Sequence, residues 1–135
     1  MTAAELRYLI AIDELYDGKS GVKLTDIAQR VGVSKVSVYR AVERLEKSGY
    51  AERNDKNKVI LTELGKKQIS DYMEIIDFVR DHLVRNCGTP HEVAYSDAIG
   101  VACALSDVSR ERIAEIIESC KLKCDILETE GEKND

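Results

Sequence analysis

The chain has 135 residues, 33% of them charged and 44% hydrophobic, with a net charge of -5, one proline and no tryptophan. This composition excludes disordered and collagen-like chains and fits one ordinary domain or two small ones. No apolar run approaches the roughly 18 residues that span a bilayer, and Met1 to Leu15 lacks the basic flank of an export signal, so a cytoplasmic, reduced state is expected for Cys87, Cys103, Cys120 and Cys124.

In chain order, Ala3 to Tyr16 carries Leu6, Leu9, Ile10, Ile12 and Leu15 at helical spacing. Residues 17–21 read as a turn. Thr25 is a candidate cap for a short helix ending at Val31, and Gly32 supplies the left-handed position after it. Ser34 caps the next helix, which runs to about Ser48 and stops at Gly49. Tyr50–Arg53 and Lys58–Leu61 read as two short strands around an Asn54-Asp55-Lys56-Asn57 loop. Thr62 is the expected cap of a long helix to about Val84. Thr89-Pro90-His91-Glu92 reads as a cap, first-turn proline and capping-box glutamate. The helix that follows ends near Leu105, and Ser106-Asp107 opens a last one to about Leu127. The fold class expected is mostly α with a small β-hairpin wing. A winged helix-turn-helix over residues 1–62 precedes a helical region over 63–127, and 128–135 form a flexible acidic tail.

The segment LTDIAQRVGVSKVSVYRAVERL, Leu24 to Leu45, meets the demands of a helix-turn-helix together. Ala28 is small where the helices touch, Gly32 permits the turn, and Ile27, Val31, Val33, Val38 and Leu45 fill the wedge. With Val38, Val42 and Leu45 inward, the second helix presents Lys35, Val36, Ser37, Tyr39, Arg40 and Arg44. Arg40 and Lys35 suit guanine edges, Ser37 either base type and Val36 a thymine methyl, whereas Arg44 suits a phosphate. Backbone N–H groups near Thr25 and Ser34 offer further phosphate contacts, as do Arg53, Lys56 and Lys58 of the wing. Charge is distributed to match. Residues 19–67 hold twelve basic and six acidic side chains, a net of +6, which leaves -11 elsewhere. Duplex DNA is the expected partner, and no membrane is.

The order of these segments resembles the diphtheria toxin repressor family, especially its small two-domain manganese transport regulators. The resemblance rests on IDELYDG, on LTDIAQRVGVSKVSVYRAVERLEKSGY, on VILTELGKK running into a long helix, and on a short helix ending in ALS. It implies a homodimer built on the helices after the wing and a repressor acting on a palindromic operator. It also implies a manganese or iron corepressor, but the ligand positions fall on Arg7, Ile10, Ile76 (beside Asp77), Ile99, Ala102 and Cys103. One thiol among aliphatic residues cannot hold a hard cation. No cofactor is therefore expected, with apolar side chains filling the space. Cys103, Cys120 and Cys124 are the candidates for a soft-metal or redox site, against the plainer reading of small buried hydrophobes. Tyr72 and Tyr95 suit a core or interface, His82 a surface or dimer edge, and His91 a neutral structural role. Two alternatives stay open: a cysteine-based redox or zinc sensor of the same fold, and a winged-helix protein–protein module without DNA binding. No glycine-rich phosphate loop, nucleophile elbow or paired histidines point to an enzyme.

Overall fold

Thr2 begins the first helix, α1 (Ala3–Leu15), with a reciprocal capping box: its hydroxyl accepts from the Glu5 N–H, and Glu5 accepts from the Thr2 N–H. In this computed structural model, which describes residues 1–133 and the side chains through Cys120, five further helices and one hairpin follow. They are α2 (Leu24–Val31), α3 (Lys35–Lys47), β1 (Ala51–Arg53), β2 (Val59–Leu61), α4 (Glu63–Cys87), α5 (His91–Ala104) and α6 (Asp107–Lys133). Two compact units divide the chain after Ser70.

In the first unit, one face of α1 (Leu6, Leu9, Ile12) is buried together with Ile27 of α2, Val38, Val42 and Leu45 of α3, and Val59 of β2. The α2–α3 turn is made as expected. Gly32 has φ 80° and closes α2 with its N–H on the Ala28 carbonyl, and the Ser34 hydroxyl accepts from the Ser37 N–H. Thr25 is not the cap of α2, which starts one residue earlier. Lys23 stands at the N-cap without a side-chain bond. The cause is tertiary: Val22 is held extended by reciprocal hydrogen bonds with Val59, of 2.9 and 2.8 Å. That bridge adds a third short segment to the antiparallel pair β1–β2, in which Ala51 faces Leu61 and Arg53 faces Val59. The strands are shorter than expected, and Lys58 joins the loop.

Thr62 caps α4 as its sequence suggests. Its hydroxyl accepts from the Gly65 N–H and donates to the Gly49 carbonyl at 2.6 Å, tying the start of α4 to the end of α3. Gly65 is required by contact, since a Cβ there would meet the Tyr50 carbonyl.

In the second unit, Tyr72, Ile75 and Ile76 of α4, Ala94, Ala98, Ile99 and Ala102 of α5, and Ile117 of α6 are buried. The expected Thr89 cap is not formed. Pro90 occupies the N-cap of α5 and no side chain caps the helix. At the other end of α5, Arg110 donates to the Leu105 carbonyl at 2.7 Å, pairs with Asp107 and lies 4.4 Å from the centroid of the Tyr72 ring. A cation over the last carbonyls of a helix opposes the negative end of its dipole. Ser106 caps α6 through the Ser109 N–H, and α6 continues to Lys133, beyond the expected Leu127. The side chains of 128–135 and of Cys124 lie outside the described residues. Among the described residues no helix is long and apolar enough to cross a membrane.

Candidate nucleic-acid interface

Helix α3 divides its circumference sharply. Val38, Ala41, Val42 and Leu45 are buried, while Lys35, Val36, Ser37, Tyr39, Arg40 and Arg44 are exposed on the opposite side. A 13-residue helix is about 20 Å long, so this face offers three turns of accessible side chains. Ser34 is exposed but occupied, its hydroxyl also lying 2.9 Å from that of Ser37.

The wing is shaped by one side chain. Asn54 Oδ1 accepts from the N–H groups of Lys56 and Lys58 at 3.0 and 3.1 Å, and Asn54 Nδ2 donates to the Ser20 carbonyl at 3.0 Å. Asn57 takes φ 60°, a left-handed conformation that asparagine tolerates better than most residues. The tip therefore has a defined shape, with Asp55, Lys56 and Asn57 exposed.

Between the head of α2, the head of α3 and this tip lies an open hollow of about 270 Å³, lined by Lys23, Leu24, Thr25, Lys35, Lys56, Asn57 and Lys58. Four ammonium groups border it and no carboxylate does. None of the four lysines has an ion-pair partner among the described residues. Such a cluster is repulsive in the protein alone and is relieved by a polyanion. Thr25, Lys35, Lys56 and Lys58 are thus brought together. Lys23, counted among the twelve basic residues of 19–67 but not singled out as a contact from the sequence, joins them because it sits at the true N-cap of α2.

Arg53 behaves differently. Its Nε lies 2.6 Å from Glu46 Oε1 and its guanidinium stands 4.9 Å from the centroid of the Tyr39 ring, with the side chain only 22% exposed. Hydrogen bonding to Tyr39, reinforced by the Glu46 charge, raises the Arg53 pKa above its ordinary value. This arginine braces β1 against α3, so a phosphate would have to compete with Glu46 for it. Among the described residues Arg40, Arg44, Lys56 and Lys58 carry no such tie.

The positions that would bear a metal are filled otherwise. Ile10, Ile76, Ile99 and Ala102 are buried, Arg7 is exposed, and Cys103 is partly buried. Aliphatic side chains offer no donor to Mn²⁺ or Fe²⁺, and among the described residues no group of three or more His, Cys, Asp or Glu side chains is placed to hold a metal. This donor set does not fit a hard divalent cation. Cys120 is exposed. His82 is exposed, with Nδ1 2.8 Å from Asn86 Nδ2.

Residues 1–59 match the family model described as "Iron dependent repressor, N-terminal DNA binding domain". The HTH-type transcriptional regulator MntR of Bacillus subtilis (strain 168) is 28% identical over 111 residues, covering 82% of this chain and 78% of that one. Among solved structures, the manganese regulator SloR superposes with a TM-score of 0.71 at 21% identity, over 87% of this chain and 55% of its own. The hypothetical protein SSo2273 from Sulfolobus solfataricus gives 0.68 at 20% identity, over 87% and 89%. These two likenesses are of fold.

Proposed function

We propose that this chain is a DNA-binding transcriptional regulator of the diphtheria toxin repressor family that acts as a cytoplasmic homodimer and represses by occupying a palindromic operator. The family is one of regulators and not of enzymes. The observation that carries the reading is the face of α3, where Lys35, Ser37, Arg40 and Arg44 are exposed opposite a fully apolar buried side. A helix of that shape enters the major groove with its N-terminal half, placing Lys35, Ser37 and Arg40 at base edges and Arg44 at the backbone. The four-lysine hollow beside it suits the flanking phosphates.

Two copies would read half-sites about one turn, roughly 34 Å, apart. Helix α5 supports the second copy: it is apolar around most of its circumference, yet Val93 and Val101 remain 50% and 42% exposed in the single chain. Exposed apolar side chains on such a helix mark a surface that another chain can cover. The aliphatic filling of the ligand positions supports regulation that does not respond to manganese or iron.

The test is fluorescence anisotropy on a duplex selected from a random library, titrated with salt and repeated with Mn²⁺ and with chelator. Affinity should fall with log–log slope of about -0.9 per phosphate contacted, and should be the same with metal and chelator. Salt-insensitive binding would refute the interface. Binding that appears only with Mn²⁺ would refute metal independence.

A further inference from the structure

Within the second unit, α4 and α6 border an open hollow of about 610 Å³, a size ordinary for a small-molecule site. Its wall carries Phe78, 51% exposed on the side of α4 turned away from buried Tyr72 and Ile76. The Phe78 ring stacks on that of His82 one turn later, with centroids 6.3 Å apart and planes inclined by 18°. Ile117 of α6, 5% exposed, lines the same space. The charges on the lining are sorted along α4. Arg80 pairs with Asp77 at 3.1 Å and with Asp81 at 3.2 Å, so these three groups answer one another. That leaves Glu74 at one end of the hollow and Arg85 at the other, separated by about 16 Å of helix. Neither has an ion-pair partner among the described residues. Arg85 shares its end with Asn86 and His82. Asn86 Nδ2 donates to His82 Nδ1 at 2.8 Å, which leaves Nε2 to carry the proton of the neutral ring and to act as a donor.

We propose that this hollow is the effector site of the regulator and takes a small planar aromatic carboxylate, its ring against Phe78 and His82 and its carboxylate at Arg85. The effector role rests on the regulator reading above; the binding does not. The chemistry selects the ligand. A flat ring adds to a near-parallel ring pair by its face or edge, and being rigid it loses less freedom there than a flexible chain. A carboxylate accepts the forked N–H groups of a guanidinium in two parallel bonds. Glu74 repels the same carboxylate from the far end, so one orientation is favoured. Aliphatic side chains fill the family's metal positions, which leaves the signal to a ligand of another chemistry. Helix α4, which lines the hollow, is also the helix whose start Thr62 ties to Gly49 beside the wing.

The test titrates the full chain with 2-naphthoate and follows its amide NMR signals. Shifts should concentrate between Phe78 and Asn86 and around Ile117, and should saturate with a Kd of about a millimolar or lower, as befits a ligand of this size. The neutral isostere 2-naphthamide should bind about fivefold more weakly, the difference between a charged and a neutral hydrogen bond. Arg85→Gln should abolish that preference, and Phe78→Ala should weaken both ligands about tenfold; both positions are exposed and do not support the core. Saturating 2-naphthoate should change the affinity for the selected duplex by about fivefold or more, and the duplex should change the affinity for 2-naphthoate by the same factor. Absence of shifts at these residues, or equal binding of acid and amide, would overturn the site. Saturation with unchanged duplex affinity would overturn the effector role and leave DNA binding standing. Loss of all salt-dependent duplex binding would overturn the regulator reading and the effector role with it, while the 2-naphthoate titration still decides the binding. Phe78→Ala that loosens self-association in sedimentation velocity and leaves 2-naphthoate binding unchanged would assign the hollow to a second copy and overturn the proposal.

Discussion

Lys23 and Arg53 show how a basic side chain acquires its role from its surroundings. Both belong to the basic stretch of residues 19–67, but Lys23 borders a hollow with three other lysines that lack an ion-pair partner among the described residues, while Arg53 is held by Glu46 and Tyr39. Lys23→Ala should weaken duplex binding and reduce the salt slope by about 0.9, one phosphate contact. Arg53→Gln should weaken binding with the slope unchanged, since it loosens the wing without removing a contact; anisotropy titrations over a range of salt distinguish the two. Asp17 offers a separate check on the turn after α1. Its carboxylate accepts from the N–H groups of Lys19 and Ser20 and from the Ser20 hydroxyl, and these bonds, the backbone ones first, lower its pKa from 3.8 to about 2. A depressed carboxyl pKa contributes stability that is fully present above the unfolded value and is lost as pH falls through the folded one. An NMR titration of the Asp17 carboxyl should show its midpoint near 2. Asp17→Asn should remove the corresponding pH dependence of unfolding.

At the scale of elements, the helix-turn-helix was legible because its requirements are local. Gly32, Ser34 and the Val38–Leu45 stripe state the turn, the cap and the buried face within one short stretch. The start of α2 was not legible, because Thr25 has the chemistry of a cap and Lys23 does not. The boundary is set instead by Val22 pairing with Val59, far along the chain. The Glu46 partner of Arg53 is not legible for the same reason: it lies on another element. Within the second unit, a strong sequence signal at Thr89 lost to a helix that begins after Pro90. The junction of wing and long helix depends on Gly65, where the α4 backbone approaches Tyr50 closely. Gly65→Ala must push the backbone at Tyr50 away and should cost roughly 1–3 kcal/mol, the usual effect of overpacking, measurable as a lower urea midpoint at unchanged slope.

For the whole molecule, an acidic chain that approaches a polyanion does so with a locally basic surface, and the net charge of -5 conceals the twelve cations of residues 19–67. If α5 is covered by a second copy, Val101→Asp should shift the protein toward monomer in sedimentation velocity and weaken operator binding by losing the paired half-site, while an isolated half-site is bound as before. The Asn54 side chain, which organises the wing through two backbone N–H groups and the Ser20 carbonyl, has a consequence for divergence among such regulators. It separates the geometry of the tip from the chemistry displayed there. Asp55 and Lys56 are exposed, and Lys56 joins the shaping bonds only through its backbone N–H, so their charges can be exchanged without reorganising the hairpin. Descendants that keep Asn54 can thus acquire new operator affinities by altering ornament on an unchanged frame.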